Sequence, residues 1–560
     1  MILQTRYPVA ATPRPAVTHG AGFATTGFWF GPADRPLAGW WTAPEQASCD
    51  GVVIAQPLGY EYWSCHRSLR ALAESLARAG WHVLRFDWDG TGDSAGDATD
   101  PNRVAQWRAS LAHAAAAMRA AGVERIALVG LRLGATLALL DAAALGVDEV
   151  IACAPVASGK RWLRELRMLA IADPEQPDTV IYSGLVIDGE TAAGLAEIDP
   201  VRTAPCRVAR TLLVTRSDPA DTKLTQSLRA DGRSVDVHAC EAMQTMLDVP
   251  AGEDSVPAGW IEPILAWLGL PQASAIGARP EIRQAAEIAW QGSKVMANFT
   301  MIDDLAAVRC HPVGHEPDTV VVFLNSGADP HVGPGRAWVE YSRSLALLGY
   351  ACVQPDFTAF GESPDGGRPP GRPYDPHCID DTARMAAALR HRYRRVVLAG
   401  LCVGAWIAMH VAQSIPVDGI FALNPQLWWN PKLPIIIRIP DTIAWRAPMR
   451  KRGQRLAKFG LWSLLDAFTI RPMASRWMIA LRRRRIPVML SFAEGDDGLA
   501  FLRNRCARRI TRESRHGLLT VEEVSGIDHP MFRRWRRPAI VEQMTRFLAH
   551  LPEPSTPGDG

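Results

Sequence analysis

The stretch that decides the fold is Val396-Val397-Leu398-Ala399-Gly400-Leu401-Cys402-Val403-Gly404-Ala405-Trp406. Its first residues are apolar and partly β-branched, which predicts a buried strand, and the residues after Gly404 predict an apolar helix. The Gly-x-Cys-x-Gly pentapeptide between them is typical of a nucleophile elbow, a sharp turn that exposes its central side chain. Glycines on both sides give such a strained turn the room it needs. Two interpretations of Cys402 stay open here, a nucleophile or a buried structural thiol.

Length and composition describe an ordinary globular protein. The 560 residues favour about two to four domains, and 48% hydrophobic with 21% charged residues is a common balance. The ten cysteines include no C-x-x-C pair and no metal-ligand spacing. This predicts reduced thiols and no metal site, and we expect no cofactor. Neither a secretory signal nor a membrane-spanning apolar run is evident, so we expect a cytoplasmic protein.

The chain contains a diverged internal repeat. In the first half, predicted strands and helices alternate in the order strand 51–55, helix 69–79, strand 81–86, helix 102–121 and strand 125–129. The second half repeats this order with strand 319–324, helix 337–348, strand 350–354, helix 379–393 and the strand that enters the elbow. Strands that alternate with helices predict parallel βαβ units, and therefore a doubly wound, mostly parallel sheet in each half.

Each half continues with a strand that precedes an acidic residue and then with one more strand. These strands are 211–215 and 234–240 in the first half, and 487–492 and 519–524 in the second. A closing amphipathic helix follows in both halves. Pro271, Gly277 and Pro280 interrupt the pattern between the halves. We therefore expect one domain over 1–270, a linker over 271–295, a second domain over 296–552 and a disordered tail over 553–560.

Two Gly-x-(Cys/Arg)-x-Gly elbows, each followed later by an acid, resemble the α/β-hydrolase superfamily twice over. The order nucleophile, acid, histidine is that family's order. In the second half, Asn325-Ser326-Gly327, Gly400-Leu401-Cys402, Asn424-Pro425-Gln426 and Glu494-Gly495-Asp496 resemble the cysteine-elbow hydrolases encoded with bacterial exopolysaccharide systems. In the first half, Gly130-Leu131-Arg132-Leu133-Gly134 and the turn Asp87–Ser94 resemble a hydrolase-like protein of exosortase-associated gene sets. The resemblance implies two tandem α/β-hydrolase domains and a role in polysaccharide biosynthesis.

In the second half the expected catalytic residues are Cys402 as nucleophile, His529 as base and Asp496 as the acid that orients the base. Asp497 is the alternative acid, because it directly follows Asp496. We expect the N–H of Val403 and an N–H from the Ser326-Gly327 pair to bind the oxyanion. Asp356 is interpreted as the residue that organises the turn after its strand.

Residues 430–486 form the insertion that in this superfamily covers the site as a cap. The segment carries fourteen Lys or Arg against Asp441 and Asp466, with tryptophans interleaved. One interpretation is a solvated basic helical face. The other is a surface that attracts an anionic acyl donor, such as a CoA or carrier-protein thioester, or an anionic membrane face. No nucleic-acid-binding motif is visible, so we expect no nucleic-acid partner.

In the first half, Arg132 stands at the nucleophile position, and a guanidinium stays protonated and cannot attack. Alignment of the two halves puts Met243 at the position of His529 and retains the acid as Asp218. This half is therefore expected to be non-catalytic. Arg132 either binds a carboxylate or phosphate, or it pairs internally with Asp218.

The sequence therefore predicts an acyl hydrolase or acyltransferase that acts on esters or thioesters through the second half. Two rivals stay open. One is a plain carboxylesterase, which needs no acceptor other than water. The other is a binding or assembly component of a polysaccharide system, in which neither half is catalytic.

Overall fold

The computed structural model of the protein describes residues 15–171, 175, 177–203, 208–216, 220–230, 234–249, 253–274, 277–368, 371–427 and 473–553. Most of the predicted cap, the acid Asp218 and the tail after residue 553 lie outside the described residues.

The described part of the first half supplies eleven strands and nine α-helices. The strands are β1 (Val17–Gly20), β2 (Phe23–Phe30), β3 (Leu37–Pro44), β4 (Asp50–Ala55), β5 (His82–Phe86), β6 (Arg125–Leu131), β7 (Glu149–Cys153), β8 (Val180–Tyr182), β9 (Leu185–Ile187), β10 (Arg210–Thr215) and β11 (Ser234–Ala239). The helices are α1 (Tyr60–Arg78), α2 (Arg103–Ala120), α3 (Leu133–Asp141), α4 (Gly159–Leu169), α5 (Gly189–Ala196), α6 (Pro200–Thr203), α7 (Ala220–Ala230), α8 (Gln244–Leu247) and α9 (Ile261–Leu268).

The described part of the second half supplies nine strands and six α-helices. The strands are β12 (Ala285–Trp290), β13 (Ser293–Ile302), β14 (Leu305–Pro312), β15 (Thr319–Phe323), β16 (Ala351–Pro355), β17 (Arg395–Leu401), β18 (Gly419–Leu423), β19 (Val488–Ala493) and β20 (Leu519–Val524). The helices are α10 (Ala337–Leu347), α11 (Pro376–Arg390), α12 (Val403–Val411), α13 (Met473–Arg483), α14 (Asp497–Arg515) and α15 (Arg537–Ala549).

The two halves build the same sheet. The first sheet has the order β1-β2-β3-β5-β4-β6-β7-β10-β11, and the second has the order β12-β13-β14-β16-β15-β17-β18-β19-β20. In each sheet the first three strands pair antiparallel and the remaining six run parallel. The prediction of two mostly parallel, doubly wound sheets in tandem is confirmed.

The antiparallel strands at the start of each sheet are the main addition to the predicted repeat. β12 begins at Ala285, inside the predicted linker, so the second sheet starts before the boundary placed at residue 296. Only Ile288 and Trp290 are buried in this edge strand, and its other side chains are at least partly exposed. A strand with so few buried residues gives a weak hydrophobic signal in the sequence.

The halves share a hydrophobic core along these early strands. Phe299 of β13 packs against Trp29 and Trp40, with ring centroids 5.1 and 5.0 Å apart. The N–H of Trp29 donates to the carbonyl oxygen of Arg283 at 2.8 Å. Trp29 is fully buried by this packing. The two sheets are therefore packed against each other through a shared hydrophobic core.

Candidate active site

Cys402 lies on the predicted strand-to-helix turn. β17 ends at Leu401 and α12 begins at Val403, and Cys402 between them has φ 55° and ψ −107°. A side chain at Gly400 would place its Cβ 2.3 Å from the backbone carbon of Gly404, so the turn requires glycine there. Of the nine described cysteines, Cys402 alone is not buried. The turn therefore presents a thiol in a strained backbone conformation that other side chains rarely adopt.

The loops after β19 and β20 bring Asp496 and His529 together. Asp496 caps α14, where its Oδ1 accepts from the N–H of Gly498 at 2.7 Å. Its Oδ2 lies 2.7 Å from Nδ1 of His529. The Asp496 side chain is 9% exposed and the His529 side chain 46%. The carboxylate is thus fixed by the helix terminus and fixes the orientation of a more exposed imidazole.

The thiol of Cys402 lies beside the imidazole of His529 and interacts with it. Burial disfavours the imidazolium, but the hydrogen bond to Asp496 and the interaction with Cys402 outweigh it and raise the pKa of His529 to about 10. The three side chains form a chain of carboxylate, imidazole and thiol. Such an arrangement is the one that activates a thiol for nucleophilic attack.

Asn424 ties the two loops to each other. Its Nδ2 donates to the carbonyl oxygen of His529 at 2.9 Å, and its Oδ1 accepts from the N–H of Ala493 at 2.7 Å. The residue is 1% exposed and has φ 41°, a conformation that asparagine tolerates better than most residues. In the sequence Asn424 was visible only as part of a family-like motif, and its bridging position appears only in the fold.

Tyr374 is a further residue at the thiol that sequence reasoning missed. Its hydroxyl lies beside the sulfur of Cys402, and burial together with this neighbour raises the pKa of Tyr374. The ring lies edge-on to Trp406 of α12, with centroids 5.3 Å apart. Tyr374 itself has φ 71°, in a loop that ends where Asp375 caps α11. A protonated phenol is thus held against the sulfur.

The predicted oxyanion donors lie beside the elbow. Phe323 of β15 pairs with Ala399 of β17, so the chain after β15 leaves the sheet next to Cys402. Gly327 has φ 62° and open space where a side chain would lie, and Ser326 is buried. Val403 is the first residue of α12, where backbone N–H groups have no partner within the helix. The elbow and this loop therefore lie next to each other at one edge of the sheet.

The first half has the same turn without the same chemistry. Arg132 has φ 55° and ψ −121°, close to the values of Cys402. Its Nε donates to Oε1 of Glu61 at 2.6 Å and its Nη1 to the carbonyl oxygen of Ala154 at 3.1 Å. Burial disfavours the charge, but the Glu61 carboxylate raises the pKa of Arg132, so the guanidinium stays charged. The internal partner of Arg132 is thus Glu61, while the expected partner Asp218 lies outside the described residues.

No substitute base occupies this first site among the described residues. Met243, at the position that corresponds to His529, is completely buried in the core. His238 lies 3.1 Å from the carbonyl oxygen of Gly259, and His66 lies 3.0 Å from Glu362 of the other half. Both histidines are therefore engaged elsewhere.

Metal-binding clusters and membrane-spanning helices are absent from the part of the chain that the structure describes. The described residues contain no cluster of three or more His, Cys, Asp or Glu side chains arranged to hold a metal ion. Within the same part of the chain, every helix is too short or too polar to cross a membrane. From the cap, the structure describes α13, in which Trp477 is buried and lies 5.1 Å from the ring of His410.

Comparisons with known proteins agree with this fold. Residues 321–557 match the profile of the "Alpha/beta hydrolase family", and residues 56–195 match that of the "alpha/beta hydrolase fold". Among curated proteins, no relative matches the sequence.

Similar solved structures include Est1E from Butyrivibrio proteoclasticus with ferulic acid bound (18% identity, 42% of this chain and 94% of that one, TM-score 0.34). A thioesterase domain from the curacin biosynthetic pathway has 14% identity over 45% of this chain and 100% of its own, with TM-score 0.28. A dienelactone hydrolase from Anabaena variabilis ATCC 29413 has 12% identity over 48% of this chain and 99% of its own, with TM-score 0.29. The two sheets and the two profile matches together show that the chain contains two α/β-hydrolase domains, one in each half.

Proposed function

We propose that the second half transfers acyl groups from an ester or thioester through a covalent intermediate on Cys402. His529 is the general base and acid, and Asp496 orients it. The observation that carries the proposal is the hydrogen bond between Asp496 and His529, with the imidazole of His529 beside a thiol on a strained elbow.

In the first step, Sγ of Cys402 attacks the carbonyl carbon of the donor. The carbonyl oxygen becomes an oxyanion that accepts hydrogen bonds from the N–H of Val403 and from the Ser326-Gly327 segment. The bond to the leaving group then breaks, and His529 gives its proton to the departing oxygen or sulfur. A thioester on Cys402 remains.

In the second step, an acceptor hydroxyl or amine loses its proton to His529 and attacks this thioester. The carbon–sulfur bond breaks and Cys402 is restored. A thioester is more reactive toward alcohols and amines than an oxygen ester, so cysteine favours transfer over simple hydrolysis. Water in the acceptor position gives the hydrolase reaction at the same site.

The composition of the basic segment 430–486 supports the choice of donor class. The surplus of Lys and Arg in residues 430–486 favours an anionic donor, for which a CoA or carrier-protein thioester is the best fit. The family resemblance favours bacterial exopolysaccharide biosynthesis as the setting. The first half, which lacks both nucleophile and base, has no catalytic step of its own in this proposal.

Turnover with and without an acceptor tests the proposal. We expect slow hydrolysis of p-nitrophenyl esters and acyl-CoA by the wild-type protein, and faster release of the leaving group when an alcohol or amine acceptor is added. Cys402→Ala removes both activities, whereas Cys49→Ala, which changes another thiol, retains them. Full turnover without any acceptor would favour the plain carboxylesterase. Unchanged polysaccharide output in a Cys402→Ala strain would favour the non-catalytic binding protein.

A further inference from the structure

The halves interlock through one equivalent turn from each. In the first half Oδ2 of Asp87 accepts from the N–H of Asp93 at 2.9 Å, and in the second Oδ2 of Asp356 accepts from the N–H of Glu362 at 2.9 Å. Each turn thereby points an acidic side chain, Asp93 or Glu362, into the opposite half. Arg85 of the first half binds Glu362 through two hydrogen bonds of 2.7 and 2.6 Å.

Asp93 contacts His331, which lies in the second half in the segment that follows β15. His331 lies in residues 325–336, the segment that follows β15 and carries Ser326 and Gly327, which we call the oxyanion segment. Nε2 of His331 lies 2.7 Å from Oδ2 of Asp93, and Nδ1 lies 2.7 Å from Oδ2 of Asp356. All three side chains are at most 5% exposed. The imidazole is therefore clamped between a carboxylate from each half.

Arg336, at the end of the oxyanion segment, makes a second link to the first half. Its guanidinium donates to four backbone carbonyl oxygens at 2.5 to 3.0 Å, those of Gly90, Gly92, Ser94 and Gly96. The residue is 6% exposed and has φ 69°. Four acceptors around one buried guanidinium form a socket that only a planar, multiply donating group fills.

The oxyanion segment needs such external fixing. Gly327, Gly333 and Gly335 all have positive φ, so this stretch has many accessible conformations when it is not held. Within its own half, Nδ2 of Asn325 donates to Oδ1 of Asp356 at 3.1 Å, and the N–H of His331 donates to the same oxygen at 2.7 Å. Arg537 donates to the carbonyl oxygen of Pro334 at 3.3 Å. Asp356 also contacts the imidazole of His331, so the contact between Asn325 and Asp356 belongs to the same clamp. Positions of oxyanion donors matter at the scale of an ångström.

We propose that the first half positions the oxyanion segment of the second half, with Asp93 and the carbonyl socket at residues 90–96 as the positioning groups. This inference rests on the acyl-transfer function proposed above. It gives the non-catalytic half a role in the reaction. The half without a nucleophile supplies the buried groups that fix the position of the oxyanion segment in the other half.

Two reactions of the same thiol test this role in the full-length protein. Acylation of Cys402 by a p-nitrophenyl ester needs the oxyanion donors, whereas alkylation by iodoacetamide needs only the thiolate. We expect Asp93→Asn to lower the acylation rate constant by about 10- to 100-fold and to leave alkylation within about twofold. Arg336→Lys, which keeps the buried charge but not the four hydrogen bonds, is expected to act in the same direction and serves if Asp93→Asn does not fold.

The control is Arg283→Ala, which removes hydrogen bonds to Trp29 and Gly31 of the first half without touching the oxyanion segment. It is expected to leave the ratio of acylation to alkylation at the wild-type value. An unchanged ratio in Asp93→Asn and Arg336→Lys would overturn the positioning role, even if both rates fell together. Failure of the wild-type protein to acylate at all, with normal alkylation, would instead contradict the acyl-transfer function.

Discussion

Some of the side chains around Cys402 can be predicted from the sequence, and others can be identified only from the fold. Cys402, Asp496 and His529 each follow a predicted strand, and the carboxyl ends of parallel strands meet at one edge of a sheet. Their proximity was therefore predictable, and the structure places Asp496, not Asp497, against His529. Tyr374 lies in a glycine- and proline-rich loop with no periodicity and no catalytic motif, so no local pattern connected it with the thiol.

The first prediction concerns Asp496. Asp496→Asn removes one of the two interactions that raise the pKa of His529 to about 10, so this pKa is expected to fall toward 6.5. The acylation rate is expected to fall at least about 100-fold, because the imidazole loses its orientation. Histidine NMR titration and single-turnover acylation measure the two effects. Asp497→Asn is the matched control, and equal losses in both variants would contradict the assignment of Asp496.

The second prediction concerns Tyr374. Tyr374→Phe removes the hydroxyl that lies beside the sulfur, a donor that contributes about 1.5–3 kcal/mol when its acceptor is charged. We expect an iodoacetamide alkylation rate at pH 7 that is lower by about 10-fold or more, because the sulfur loses this donor. Tyr60→Phe, which removes a hydroxyl bonded to Val249 in the first half, is the control. Equal alkylation rates in the two variants would show that Tyr374 does not support the thiolate.

At the scale of secondary structure, the parallel strands and their helices were predictable from alternating apolar runs, whereas the antiparallel strands at the start of each sheet were not. The duplicated turn was partly predictable. Asp356 was expected to organise its turn, and in the structure it accepts a hydrogen bond from the N–H of Glu362 and contacts His331. The same turn also forms part of the clamp between the halves. This contact joins residues more than 200 positions apart, such as Asp93 and His331, so no local sequence pattern predicts it.

The third prediction concerns the pH dependence of that clamp. Burial disfavours the charged imidazole, but Asp356 and Asp93 raise the pKa of His331 well above its ordinary value of 6.5. The folded protein therefore keeps a proton that the unfolded chain releases, and His331 stabilises the fold fully only below about pH 6.5. Its contribution is expected to fall between pH 7 and 9 by up to about 1.4 kcal/mol per pH unit.

Urea unfolding of the wild-type protein and of His331→Gln at pH 7, 8 and 9 measures this contribution as the difference between them. Asp87, which also faces the clamp, has a pKa raised to about 6 by burial and by Asp93, so it titrates below this range. The difference in unfolding free energy is expected to shrink as the pH rises. A constant difference would show that His331 is not protonated in the folded protein.

For the whole molecule, the fourth prediction concerns the ion pair that joins the halves. Arg85 and Glu362 are each 2% exposed, and Glu362→Gln leaves the arginine charge buried without its counter-ion. We expect a loss of about 3–5 kcal/mol in the free energy of unfolding by urea. Glu542→Gln, which breaks an exposed pair with Arg546, is expected to cost less than about 1 kcal/mol. Similar losses in both variants would mean that the buried pair does not hold the halves together.

The two halves share a strand order and an elbow geometry and differ in the side chains at the elbow. Cys402 and Arg132 have nearly the same backbone conformation, so the first elbow has kept its strained geometry without a nucleophile. The sequence predicted this asymmetry from Arg132 and Met243. It did not predict Glu61 as the partner of Arg132, because Glu61 lies far away in the chain and is brought near by α1.

The central claim, that Cys402 of the second half carries the acyl group, is tested most directly by intact-mass analysis and peptide mapping after incubation with acyl thioesters and activated esters. We expect one added acyl group on the Cys402 peptide of the wild-type protein and of Cys49→Ala, and none on Cys402→Ala. Equal labelling of the wild-type protein and Cys402→Ala, an acyl group on the first half, or no adduct with any donor would contradict it.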